Sequence, residues 1–326
     1  MTDRAGCARM MALVEIEWWH WIAFVLAVMV LLAFDLGVFH RQAHVVKFRE
    51  ALTWTIVWSS LALLFALLLK PMRGSEEALE FVTGYVIELS LSMDNVFVMA
   101  LIFAYFRVET RYQHRVLFWG ILGALIMRGI MIGAGTALIT RFHQVLYLFG
   151  AFLVFSGIKM LFSREEGVHP ETNPLIRLAR RFLPISPGFA GERFVVRHEG
   201  RWAVTPLTLV LLMVETTDLV FALDSIPAIF AVTQKPFVVF TSNVFAILGL
   251  RSLYFVLAGA ISFFRYLKFG LSVVLVFIGI KMLLNHWLRI STELSLAVVA
   301  GIILVSIGAS IVAGWWENRS NRIHSK

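Results

Sequence analysis

Glu88-Leu-Ser-Leu-Ser-Met-Asp94-Asn95, and Glu215-Thr-Thr-Asp218 followed by Asp224-Ser225-Ile226-Pro227, are acidic runs set inside stretches that otherwise read as membrane-spanning helices. An ionisable side chain at the bilayer centre costs roughly 2.5–3.5 kcal/mol on insertion scales, so five unpaired carboxylates would cost about 12–18 kcal/mol. A cluster this costly needs a partner. A cation passing through the membrane would account for all five acids together. The competing reading is an interhelical salt-bridge and hydrogen-bond network that only holds the helices together.

The rest of the chain fits a bilayer as its solvent. Of 326 residues, 59% are hydrophobic, 15% are charged and 28 are Phe, which excludes an ordinary soluble domain. Windows of about 20 apolar residues mark spans near 18–39, 51–70, 79–106, 115–140, 145–162, 204–232, 237–262, 268–288 and 294–315. The expectation is an all-α polytopic membrane protein with about nine transmembrane helices. The apolar run after Trp18 exceeds a signal-peptide core and has no small-residue cleavage site, so it reads as a retained first helix. Alternating the loops places 7 Lys/Arg on the side of the N-terminus and 18 on the other, with Arg128, Lys159, Arg251 and Lys281 inside spans. The positive-inside rule then puts the N-terminus outside and the C-terminus in the cytoplasm. The net charge of +8 follows from this loop bias, with no nucleic acid implied. Cys7 is the only cysteine, which excludes an intramolecular disulfide and a thiolate metal centre.

Between the fifth and sixth spans, Ser163 to Ala203 holds Pro170, Pro174, Pro184 and Pro187 and cannot cross the membrane. Within it Leu175, Leu178, Ala179, Phe182 and Leu183 form an apolar stripe opposed by Arg177, Arg180 and Arg181, as in a helix lying in the headgroup layer. Phe194-Val195-Val196 and Arg201-Trp202-Ala203-Val204 around Glu199-Gly200 read as a short hairpin.

An internal repeat organises the spans. Gly157-Ile-Lys159-Met-Leu161 recurs 122 residues later as Gly279-Ile-Lys281-Met-Leu283, Arg128 is matched by Arg251 and Asp94-Asn-Val-Phe97 by Asp218-Leu-Val-Phe221. Each unit has three spans, and an odd number turns the second unit upside down, the inverted-repeat plan of secondary transporters with a site at the repeat interface. A pairing of Glu88/Asp94 with Asp218/Asp224 matches equally in spacing, so the register stays open. The divisions are two peripheral spans in 1–78, a first repeat in 79–163, the amphipathic loop in 164–203, a second repeat in 204–290, and a last span with tail in 291–326.

Helical geometry separates the acids. At about 100° per residue, Glu88, Ser92 and Asn95 share a face while Asp94 points elsewhere. Glu215 and Asp218 are neighbours, and Asp224 points to the opposite side. Pro227 removes an N–H that would bond the Leu223 carbonyl, so an interrupted sixth span is expected to offer backbone oxygen. Carboxylates, the Asn95 amide, the hydroxyls of Ser90, Ser92, Thr216, Thr217 and Ser225 and that carbonyl form an oxygen-rich donor set suited to Mg, Ca or Mn. A thioether from Met93 or Met213 would tilt it towards Mn. Arg128 and Arg251 neutralise two of the five acids, leaving charge for a divalent ion or for protons. Asp94 and Asp224 are the expected central ligands, with Glu88, Glu215, Asp218, Asn95 and Ser225 completing or flanking the shell. Lys159 and Lys281 are expected to snorkel from span ends, and Asp35 to pair with His40 or Arg41 at the interface. No nucleophile and base stand together, so neither an enzyme nor a prosthetic group is expected.

At these residues the chain resembles the TerC family of integral membrane proteins. The resemblance is carried by Phe34-Asp-Leu-Gly-Val-Phe-His40, Glu88-x-Ser-Leu-Ser-x-Asp-Asn95, Tyr112-Gln-His-Arg-Val-Leu-Phe-Trp119, Thr217 through Thr233, and Thr241-Ser-Asn-Val-Phe-Ala-Ile-Leu-Gly-Leu-Arg251. It implies a manganese exporter related to the LysE-like transporters, in a family linked by name to tellurite resistance. Its metal-site acids correspond to Glu88, Asp94, Glu215, Asp218 and Asp224. Lys235 stands where relatives commonly carry an acid. The expected partners are a divalent ion, protons and the bilayer, with a homo-oligomer or a membrane-protein partner left open. Members outside bacteria are tied to membrane-protein assembly, so a non-transporting scaffold is the second function class.

Overall fold

A computed structural model describes residues 16–39, 48–162, 173–198, 201–258, 267–284, 287 and 290–324, the side chains of 35–39, 258 and 314–324 excepted. Cys7, the Asp35 side chain, His40, Arg41 and the Glu199-Gly200 turn lie outside the described residues. The elements are α1 Trp18–Phe39, α2 Phe48–Arg73, α3 Ser75–Tyr105, α4 Thr110–Arg141, α5 Val145–Phe162, α6 Pro174–Phe182, β1 Val195–His198, β2 Arg201–Val204, α7 Pro206–Phe230, α8 Pro236–Ala258, α9 Leu267–Leu284 and α10 Thr292–His324. Among the described residues eight helices, α2 to α5 and α7 to α10, are long and apolar enough to cross a membrane, and α1 adds the shorter apolar stretch Trp18–Phe34. The chain is thus an all-α polytopic membrane protein apart from one hairpin, in which Val195 pairs with Val204 and His198 with Arg201.

Short connections punctuate the bundle for local reasons. Gly74, at φ 93°, lets α3 restart one residue after α2 ends, a conformation that strains a residue with a Cβ. Asn173 caps α6 by accepting from the Leu175 and Ile176 N–H groups, with Pro174 pre-set at the first helical position. Pro227 does not interrupt the sixth expected span: α7 is unbroken from Pro206 to Phe230. The proline sits in the last turn, so little helix follows the lost bond, and its own carbonyl still accepts from Ala231.

Helices α3, α8 and α9 are the most enclosed of the bundle, whereas α2, α5 and α10 turn Leu67, Phe155 and Val305 outward, where acyl chains would cover them. Phe24, Phe65, Phe81 and Phe245 pack as one aromatic cluster that docks α1 and α2 onto α3 and α8. The two three-helix units, α3–α5 and α7–α9, pack symmetrically. Helix α3 lies on α8 as α7 lies on α4, and α5 lies on α9. The glycine repeat shows this at atomic scale. A Cβ on Gly157 would fall 2.8 Å from Ser272 O and 2.8 Å from Val276 Cγ2, and one on Gly279 would fall 2.7 Å from Gly150 O and 2.8 Å from Val154 Cγ2. Gly150 and Ser272, and Val154 and Val276, stand at the same 122-residue offset as the two glycines. Small residues let helix backbones approach in a bilayer, where apolar burial gives little drive between helices.

Candidate cation site in the bundle core

Four helices converge on Arg128. Its place on α4 turns it into the bundle, and its guanidinium is 3% exposed in a span where an unpaired charge would not be tolerated. Nη1 donates to Glu88 Oε1 of α3, to Ser225 Oγ of α7 at 3.3 Å and to Asn243 Oδ1 of α8 at 3.2 Å. Nη2 donates to Asp218 Oδ1 at 3.1 Å and Nε to Asp218 Oδ2 at 3.4 Å. Asn95 Nδ2 donates to the same Asp218 Oδ1 at 2.6 Å. This fork reads two carboxylates at once, a task that suits a planar guanidinium and not an ammonium.

The cluster is acidic on balance, two carboxylates facing one guanidinium. Glu88 Oε2 and Asn95 Oδ1, both buried acceptors, have no hydrogen-bond partner among the described residues, nor has Asn243 Nδ2. Buried acceptors without donors are the groups that a cation or water would satisfy.

Of the remaining acids, Glu215 lies within electrostatic range of Asp218, while Asp224 and Asp94 turn to other faces. Asp224 faces α5, accepting from Ser156 Oγ at 2.6 Å with Lys159 within electrostatic range. Glu215 packs its carboxylate into the notch left by Gly123 on α4, where a Cβ would collide with it. Asp94 is half-buried on another face of α3, and Arg251 is buried on α8. Among the described residues no three His, Cys, Asp or Glu side chains converge as a metal-holding group. Glu88 and Asp218 are thus the acids that meet Arg128, whereas Asp224, one of the two expected central ligands, meets Ser156. Both acidic helices are regular, so each carboxylate follows the face its position dictates. Neither thioether reaches this centre: Met93 and Met213 belong to an apolar cluster, and Met213 Sδ accepts from Asn173 Nδ2 at 3.2 Å.

Asn243, Ser156 and Gly123 are site residues that the sequence reading did not single out. Only Asn243 carries a signal, because Thr241-Ser242-Asn243 is a polar run inside an apolar span and all three side chains are fully buried.

A second polar cluster closes one end of the bundle. Glu77 is held by Arg73 at 2.8 Å and by Lys235 at 3.4 Å, while Glu80 receives Lys235 at 3.1 Å and Thr233 Oγ1 at 2.9 Å. Lys281, expected to snorkel, is instead buried within electrostatic range of Glu80. Lys235 is thus the cation that ties the α7–α8 connection to α3. Lys235→Ala is expected to lower stability by about 1 kcal/mol, a value held down by the ammonium's partial exposure. Thermal unfolding in detergent at low and high salt tests this, since salt should narrow the gap to wild type.

Residues 73–322 match the model of the Integral membrane protein TerC family. The chain belongs to the TerC family. This TerC-family chain is 54% identical over 299 residues to "Uncharacterized membrane protein STKORF319" of Myxococcus xanthus, covering 92% of each chain. It is 47% identical over 307 residues to "Putative membrane-bound redox modulator Alx" of Salmonella typhi, covering 91% of this chain and 94% of that one. The protein of that name in Escherichia coli K12 is 45% identical over 311 residues, covering 93% and 96%. No solved structure matches the chain.

Proposed function

We propose that this TerC-family protein is a carrier, not an enzyme, that moves a divalent cation, Mn2+, out of the cytoplasm by alternating access in exchange for protons. The observation that supports it best is the buried, acid-rich centre in which Glu88 Oε2 and Asn95 Oδ1 lack donors beside a tethered guanidinium. Glu88, Asp218, Asn95 and Ser225 supply a hard oxygen set for a Mg, Ca or Mn ion. Arg128 serves as the counter-cation that the cargo displaces. Asp94, Glu215 and Asp224 flank the route and carry protons, and Arg251 balances charge on the matching helix of the second unit. Within the oxygen-ligand metals, Mn2+ rests on the family resemblance, because the thioethers lie elsewhere. The loop charges favour an N-terminus outside the inner membrane and a cytoplasmic C-terminus. A redox role of the kind named for its relatives would reach this chain through metal balance, since a single cysteine offers no dithiol.

The test is Mn2+ flux in proteoliposomes under an imposed pH gradient, comparing wild type with folded Asp218→Asn and Asp94→Asn variants. Gradient-dependent flux lost in Asp218→Asn is the expected result. Flux without gradient dependence would keep the carrier and remove the coupling. No flux by folded wild type would favour the scaffold reading, in which these substitutions change stability or partner capture alone.

A further inference from the structure

The structure divides the surface of α6 into three sectors, splitting in two the apolar side that the sequence reads as a single stripe. At about 100° per residue, Ile176 and Ala179 point one way, Leu175, Leu178 and Phe182 lie roughly a quarter-turn round, and Arg177, Arg180 and Arg181 occupy the remaining side. Burial follows the sectors. Ile176 is 0% exposed against α7 and Ala179 is buried, while Leu178 is 53% and Phe182 69% exposed. All three arginines are exposed. A helix free in water has no use for the second sector, and a helix docked only on protein would turn it inward. Beside a bundle at the membrane surface each sector has a distinct neighbour: bundle, acyl chain and headgroup.

We propose that α6 is an anionic-phospholipid binding element, with Leu175, Leu178 and Phe182 in the acyl boundary and Arg177, Arg180 and Arg181 on headgroup phosphates. Charge complementarity selects the occupant. Three guanidiniums on nine residues, with no acid among them, face a surface that carries phosphate. The element is tied to the core, because its cap residue Asn173 donates to Met213 on α7, two residues before Glu215 and five before Asp218. Lipid occupancy of α6 therefore bears on the helix that carries half of the Arg128 cluster.

The test reads insertion, not transport, so it stands whether or not the carrier reading does. A nitroxide is placed on Leu178→Cys in a Cys7→Ser background. Its accessibility to oxygen against a water-soluble nickel complex is measured in vesicles of phosphatidylcholine alone and of an equal mixture with phosphatidylglycerol. The expected result is a shift towards oxygen in the anionic vesicles, reversed by high salt and lost in Arg177→Gln/Arg180→Gln/Arg181→Gln. Roughly fivefold in surface affinity is expected per arginine. High salt on the unsubstituted arginines gives the same answer if the triple variant fails to fold. A label equally oxygen-accessible in both vesicle types would overturn the proposal, showing insertion by the apolar sector alone. One water-accessible in both would overturn it too, leaving a solvated basic helix.

Discussion

Arg128→Met is expected to destabilise the folded protein by about 3–5 kcal/mol, the range for removing one partner of a buried charge network. Glu88 and Asp218 would then be two nearly inaccessible carboxylates on facing helices without a cation. Neutralising all three, as Glu88→Gln/Arg128→Met/Asp218→Asn, should recover most of the loss, because the cost lies in uncompensated charge and not in the shape of the residues. Added Mn2+ offers a sharper test. If the guanidinium holds the place of the cargo, the metal should raise the melting temperature of Arg128→Met more than that of wild type. Saturation at 100 times the dissociation constant would add about 2.7 kcal/mol. Thermal unfolding in detergent, with and without Mn2+, measures both quantities. A variant melting near wild type without metal would show that the two acids are held by other means.

Gly157→Ala and Gly279→Ala should each cost about 1–3 kcal/mol, the range for overpacking a tight interface. The added methyl in either case meets a backbone carbonyl, of Ser272 or of Gly150, which cannot rotate away as a side chain would. The matching contacts predict similar costs for the two variants, and a double-variant cost that departs from their sum because they share one interface. Unfolding followed by circular dichroism checks this. If one substitution proved harmless and the other severe, the α5–α9 packing would not be symmetric in solution.

Both results turn on whether a residue's partner could be read from the chain. The acids could be found as costly groups in apolar spans, and Arg128 as their counter-charge, because insertion energetics apply to each residue alone. Partnership could not. The face shared by Glu88 and Asn95 follows from helical period, yet Asp218 as the acid that faces them, in place of Asp94 or Asp224, depends on how α3 crosses α7. Asn243 enters from α8, a helix contributing no carboxylate, and a polar run in a span does not by itself say which way it points. Pro227 reads as a break only when its distance from the helix end is ignored.

Consecutive residues suffice for the bilayer as solvent, the near-continuous series of spans, the position of α5 at 145–162, the hairpin strands and the acidic face of α3. Apolar length, helical period and the cost of buried charge are local properties, written in consecutive residues. The tertiary structure was needed to show that Arg128 bridges Glu88 to Asp218, that Asp224 turns to Ser156, that Lys235 ties Glu77 and Glu80, and that Ile176 and Ala179 are the buried residues of α6. In a bilayer both apolar and small residues can face either lipid or protein, so hydrophobicity cannot say which helix covers which face. Close backbone approach at the paired glycines and satisfaction of buried polar groups make that choice, and both exist only once the helices have met.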